Sequence, residues 1–274
     1  MGIFSRFNPV PKATQKVIFE DDGQPRARLV RAIERAIDVQ RPVVLANIRR
    51  LRKKYPEAKP FDLAEVLERE YLTAVTGTGA AAGATAAIPA IGTVASLGVS
   101  AGVTVVFLEA TALFAQSIAE LHGIHTEDPE RSKAIVMGVM LGEEGTQLLA
   151  GLAGNAGGKS TAAWGTQVGS SLSNKAVSGI VGQIRKRFMR RVLASQGSAL
   201  LGRAIPFGIG AAIGGVANRG MGKAVIASAH LAFGPLPAQF PEDLAGLESG
   251  ADSAEQKYDG APRPLTSGTD TSAG

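Results

Sequence analysis

The chain contains no cysteine, which excludes disulfides and any metal or nucleophile site built on a thiolate. Imidazole is scarce too: only His122, His125 and His230 could supply it. Aromatic residues make up 5% of the sequence, with a single tryptophan, so rings cannot fill the core. Charge is missing over one long stretch, residues 72–108, where thirty-seven side chains in a row carry none. No segment alternates apolar and polar residues between hairpin turn signals, which argues against strands. The first eleven residues set Phe4 and Ile3 beside Arg6 but hold no apolar stretch of about 7 to 15 residues, so the start does not read as a signal peptide. The cytoplasmic side of the cell membrane is the expected location, with the cytoplasm as the alternative.

What is present is small and aliphatic. Hydrophobic residues are 45% of 274, and 34 are glycine. That is enough to bury a substantial core, one made by helices approaching closely on Ala, Gly, Val, Leu and Ile. Charge is uneven: residues 1–60 carry fourteen Lys or Arg against six Asp or Glu, and residues 241–274 carry two against seven. The acidic end is rich in Gly, Ser, Thr, Pro and Asp and lacks apolar periodicity, the composition of a solvated tail. The expected organisation is a loosely ordered N-terminus over 1–25, one helical domain over 26–233 and a disordered tail over 234–274.

Between the ends the periodicity predicts an all-α fold, a Gly/Ala-rich helical bundle with a central apolar hairpin. Leu29, Ile33 and Ile37 recur at four-residue spacing. Pro42 suits the first turn of a second helix that carries Val44, Leu45, Ile48 and Leu51 and ends in a run of cations, which complement the helix dipole. Residues 62–71 read as a surface helix leading into the uncharged run. Pro89 is expected to open a further helix that continues to His122, with Gly123 as its C-cap. Asp128-Pro129-Glu130 is a helix start, with an N-cap aspartate, a proline at the first helical position and an acid in the first turn.

A bilayer-spanning helix needs about 20 mainly apolar residues, and 72–108 exceeds that. From Ile88 to Leu108, ten Val, Leu, Ile or Phe residues favour insertion by roughly 3 to 6 kcal/mol, opposed by three Gly, four Ser or Thr and Pro89. The balance lies near threshold, so a re-entrant or reversibly inserting hairpin fits better than two firm spans. Small residues four apart let helix backbones meet. Gly98 and Gly102, with Pro89 and Gly92 ahead of them, are the candidate packing positions. A second stretch, Ile205-Pro206-Phe207-Gly208-Ile209-Gly210 through Gly214, echoes the first and is expected to pack on it through Pro206, Gly210 and Gly214.

These stretches resemble the EcsC protein family of bacteria. The resemblance is carried by Ile88-Pro89-Ala90-Ile91-Gly92-Thr93, by Phe107-Leu108-Glu109, by Ala119-Glu120-Leu121-His122-Gly123-Ile124, and by Ile205-Pro206 through Gly214-Gly215 to Asn218, spanning roughly 71–233. Where the family has an aromatic–Gly pair, this chain has His122-Gly123. The resemblance implies a helical, cytoplasmic or membrane-associated bacterial protein without an established activity.

Three further patterns bear on chemistry. Ala153-Gly154-Asn155-Ala156-Gly157-Gly158-Lys159-Ser160 loosely fits a phosphate-binding loop, but such a loop follows a buried strand, and here an apolar helical pattern precedes it. Arg185, Lys186, Arg187, Arg190 and Arg191 surround Phe188 and Met189, a basic amphipathic helix suited to an anionic membrane surface or, less well for want of a nucleic-acid fold, to nucleic acid. Glu109, Glu143, Glu144, His122 and His125 have no spacing that makes a metal or acid–base cluster. Glu109, bordering the apolar run, is expected to cap it or to pair in the interior with Arg203 or Arg219. The expectation is a membrane-associated binding, scaffolding or remodelling protein with no catalytic residue, cofactor or metal. Its partners would be anionic lipid and, beyond that, a membrane protein or a second copy of itself. The alternative is a soluble enzyme or nucleotide-binding protein using residues 153–160.

Overall fold

In the computed structural model the described residues are 27–86, 93–148, 164–165, 181–191 and 209–246. No strand occurs among them and the elements are helices, so the protein is all-α.

The helix α1 (Ala27–Ile37) buries Ile33, Ala36 and Ile37. In α2 (Arg41–Lys54) Pro42 sits in the first turn and Arg52, Lys53 and Lys54 in the last. At the start of α3 (Pro60–Ala86) the Asp62 carboxylate accepts from the backbone N–H of Lys59 at 2.8 Å, which satisfies a donor that the helix leaves open. The surface helix and the uncharged run expected after it are one helix of 27 residues. No proline or glycine falls between Phe61 and Thr76. Beyond Thr76, packing against a later helix keeps the chain helical although each glycine costs about 1 kcal/mol relative to alanine.

The central element is α4 (Thr93–Leu121). It touches α1, α2, α3 and two helices still to come. Every residue from Phe114 to Leu121 is buried, so its polar groups need partners inside the protein. Thr111 shares a hydrogen bond of 2.9 Å with the Tyr71 hydroxyl, and the Tyr71 ring stacks on Phe114 at 4.7 Å. These contacts set the register of the α3–α4 hairpin. The helix ends as the glycine requires: Gly123 has φ +73°, its N–H donates to Glu120 O, and Ile124 N–H donates to Ala119 O at 3.0 Å, the pair of bonds of a Schellman motif.

Asp128 caps α5 (Pro129–Leu141) by accepting from the N–H groups of Glu130 and Arg131. Gly142, at φ +66°, turns the chain into a short helical stretch, 143–148. The long helix α6 (Ile209–Phe233) lies antiparallel along α3 in the most extensive helix pairing among the described elements. Gly215 faces Thr76 and Ala80, and Gly222 faces Val75 and Leu72. Asn218 Nδ2 donates to the carbonyl of Val75 at 3.1 Å, and His230 meets Glu68 at 2.6 Å.

Residues 234–246, grouped with the tail on composition, pack on the bundle. They carry the one-turn helix α7 (Glu242–Ala245). Leu244 is 1% exposed, Arg52 donates to its carbonyl, and the same guanidinium lies 4.6 Å from the centre of the Phe240 ring. Two apolar anchors and one backbone acceptor thus hold a polar stretch that has no helical period of its own. Residues 1–25 and the remainder of the tail lie outside the described residues.

Candidate functional site

The pairing of α3 with α4 and α6 brings three uncharged helix segments to one end of the bundle. Tyr71 stands opposite Thr111 and Asn218 opposite Val75, so the C-terminal half of α3 runs beside the N-terminal halves of α4 and α6. Those halves, residues 72–86, 93–108 and 209–218, contain no Asp, Glu, Lys or Arg. At about 1.5 Å per residue they extend about 22, 24 and 15 Å respectively. On their described part apolar side chains stand in the open: Val216 is 71% exposed and Val106 42%. Charge begins at a common height, with Glu109 on α4 and with Arg219 and Lys223 on α6, all three exposed.

The opposite end of α4 is a polar junction. Glu120 is 1% exposed and Arg41 15%. Arg41 Nε donates to Glu120 Oε1 at 2.8 Å and its Nη2 to Oε2 at 3.1 Å. The backbone N–H and hydroxyl of Thr126 also donate to Oε1, at 2.9 and 2.8 Å. Around this core Arg41 reaches Glu127 at 2.5 Å and His125 Nδ1 at 3.2 Å, with Asp243 3.6 Å away. The hydrogen bond that Arg41 donates to the Glu120 carboxylate raises the Arg41 pKa above its ordinary value, against burial, which lowers it. Each charge also suits the other's helix: the guanidinium sits at the C-terminal end of α4 and the carboxylate at the N-terminal start of α2. A cleft of about 500 Å³ opens beside the junction, lined among others by Asp38, Leu45 and Ser132. Its charged groups are tied to one another, which makes the junction a staple between α2, α4 and α7. Among the described residues no three His, Asp or Glu side chains come together as a metal ligand set.

Several sequence expectations change here. Gly102 is exposed, and among the described residues a Cβ there would meet nothing within 4 Å, so it makes no close contact with any of the described helices. The close approaches lie elsewhere, at Gly222, where a Cβ would fall 2.9 Å from Val75 Cγ2, and at Gly145, where it would fall 2.2 Å from the Gly138 carbonyl oxygen. Gly98, Gly210 and Gly214 lie in helices; Pro89, Gly92, Pro206, Arg203 and residues 153–160 lie outside the described residues. Glu109 and Arg219 are both exposed, not paired in the interior, because the faces that carry them point away from the α3 contact.

The basic stretch is a helix over 181–191 whose apolar face, Val181, Ile184, Phe188 and Met189, is buried in the core. Arg185 pairs with Glu34, Arg187 with Glu144 at 2.8 Å, and Arg191 donates to the Leu141 carbonyl at 3.0 Å. Lys186 and Arg190 are exposed. His122 bridges the carbonyls of Ile118 and Gly234 at 2.8 and 3.2 Å. Sequence reasoning passed over Glu120 and Arg41. The available signal was a carboxylate at the end of a long helix that carries no cation of its own.

No family model, curated protein or solved structure matches the chain.

Proposed function

We propose that this protein is a membrane-associated helical scaffold, of the kind the EcsC resemblance implies, which works at the cytoplasmic face of the membrane and dips the uncharged end of its α3–α4–α6 bundle into one leaflet. The observation that carries this reading is the convergence of three charge-free helix segments on one end, with Val216 and Val106 exposed there. Uncharged lengths of about 15 to 24 Å match one leaflet of a hydrocarbon core about 30 Å thick and fall short of crossing it. Among the described residues one window, Gly102–Leu121, is apolar and long enough to cross, and 56% of it is buried inside the protein. Its Thr111, Gln116, Ser117 and Glu120 are buried as well, as suits a core helix. Leaflet-deep insertion accounts for both facts.

Flotation of the full-length protein with phospholipid vesicles tests the reading. The parent is expected to float, and Val106→Asp with Val216→Asp to reduce partitioning by about tenfold or more, since an aspartate in hydrocarbon costs up to about 3 kcal/mol. A parent chain that stays in the aqueous fraction, or an Asp variant that floats equally well, would sink the proposal.

A further inference from the structure

We infer that Arg219 and Lys223 form a binding site for the phosphates of anionic phospholipid headgroups, at the rim of the uncharged bundle end. The inference rests on the leaflet reading above and names the lipid class.

Gly215, Gly222, Val225, Ile226 and Ala229 turn one face of α6 toward the bundle. Val216, Arg219, Gly220 and Lys223 fall at i, i+3, i+4 and i+7, the opposite stripe, and all four are exposed. Arg219 and Lys223 are thus neighbours one turn apart, directly below Val216, the most exposed large apolar side chain among the described residues. Among the described residues neither cation makes an ion pair or side-chain hydrogen bond. Glu109, at a similar height on α4, pairs with neither, and Glu70 on α3 is taken by Arg50. Long cationic side chains beside buried apolar surface extend their heads to the interface, where the leaflet presents its phosphates. Charge complementarity selects anionic lipid over zwitterionic lipid. The basic stretch 185–191, the sequence's own candidate for this role, has three of its five cations engaged by the protein's own carboxylates or carbonyls and its apolar face in the core.

The test is flotation of the full-length protein at low salt with vesicles of phosphatidylcholine alone and of phosphatidylcholine mixed with phosphatidylglycerol. Each cation near an anionic surface is worth about fivefold in partitioning, so the pair should give roughly thirtyfold preference for the mixed vesicles. Arg219→Gln with Lys223→Gln should abolish that preference and keep binding to the neutral vesicles. Arg219→Lys with Lys223→Arg should retain it, and so should Lys186→Gln with Arg190→Gln. Equal binding of the parent to both vesicles overturns this inference and leaves the leaflet reading standing. So does a preference lost in the Lys186/Arg190 variant and kept in the Arg219/Lys223 variant. Binding to neither vesicle overturns both readings.

Discussion

A methyl group at Gly145 would collide with the Gly138 carbonyl oxygen at 2.2 Å, backbone that has nowhere to go; at Gly102 it would meet nothing within 4 Å. The same residue type therefore calls for opposite outcomes. Gly145→Ala should destabilise by about 1 to 3 kcal/mol, the usual result of overpacking. Gly102→Ala should stabilise by about 0.5 to 1 kcal/mol, because alanine is the better helix former at an exposed helix position that no described residue crowds. Denaturant unfolding of both variants checks the pair, and a stabilised Gly145→Ala would refute the close approach. Spacing showed where small residues recur but not which face they occupy, since that depends on the helix across the contact. Tyr71 gives a second residue-scale outcome. Burial pushes its hydroxyl up to about 12 from 10.0, with the Thr111 bond acting the other way. A group raised on folding contributes stability that is intact below its unfolded pKa and lost as pH rises through the folded value. Stability should thus fall between about pH 10 and 12, and Tyr71→Phe should remove that part of the loss. An unchanged alkaline profile in Tyr71→Phe would contradict the burial account.

At the scale of elements, the junction of α2, α4 and α7 decides how the helices meet. Glu120 is nearly the last residue of α4 and Arg41 the first of α2, 79 positions apart. Each is unremarkable in its own helix. Removing one member leaves a buried charge without its partner, so Arg41→Met alone should cost about 3 to 5 kcal/mol, whereas Arg41→Met with Glu120→Met should recover most of the loss. Calorimetric melting of the two variants and the parent distinguishes the cases. A double variant as unstable as the single one would show that the interaction with Thr126, not the ion pair, carries the junction. Helix ends were the most legible elements: Pro42, Gly123 and Asp128-Pro129 act through bonds within a few residues, and each stands where local chemistry puts it. The ordering of 234–246 was not legible, because Leu244 and Phe240 act as anchors only where α2 offers them a surface.

For the whole molecule the absence of cysteine becomes an experimental asset. Single cysteines at Val106 and Val216 should react with a water-soluble maleimide in the free protein and become shielded when vesicles are added. Single cysteines at Arg31 and Lys53, exposed on α1 and α2, should react equally in both conditions. Equal labelling of Val216→Cys with and without vesicles would show that this end stays in water.

Composition, apolar period and turn chemistry by themselves determined that the protein is all-α, where several helices start and stop, and that long parts of it carry no charge, because these depend on neighbours along the chain. Only the tertiary structure decided which cations among the described residues pair with the protein's own groups and which do not, which glycines touch backbone, and that three uncharged segments share one end. Those outcomes depend on the register between α3, α4 and α6, which is set by contacts such as Tyr71 with Thr111 and Asn218 with Val75, between residues far apart in sequence whose spacing along the chain carries no trace of their meeting.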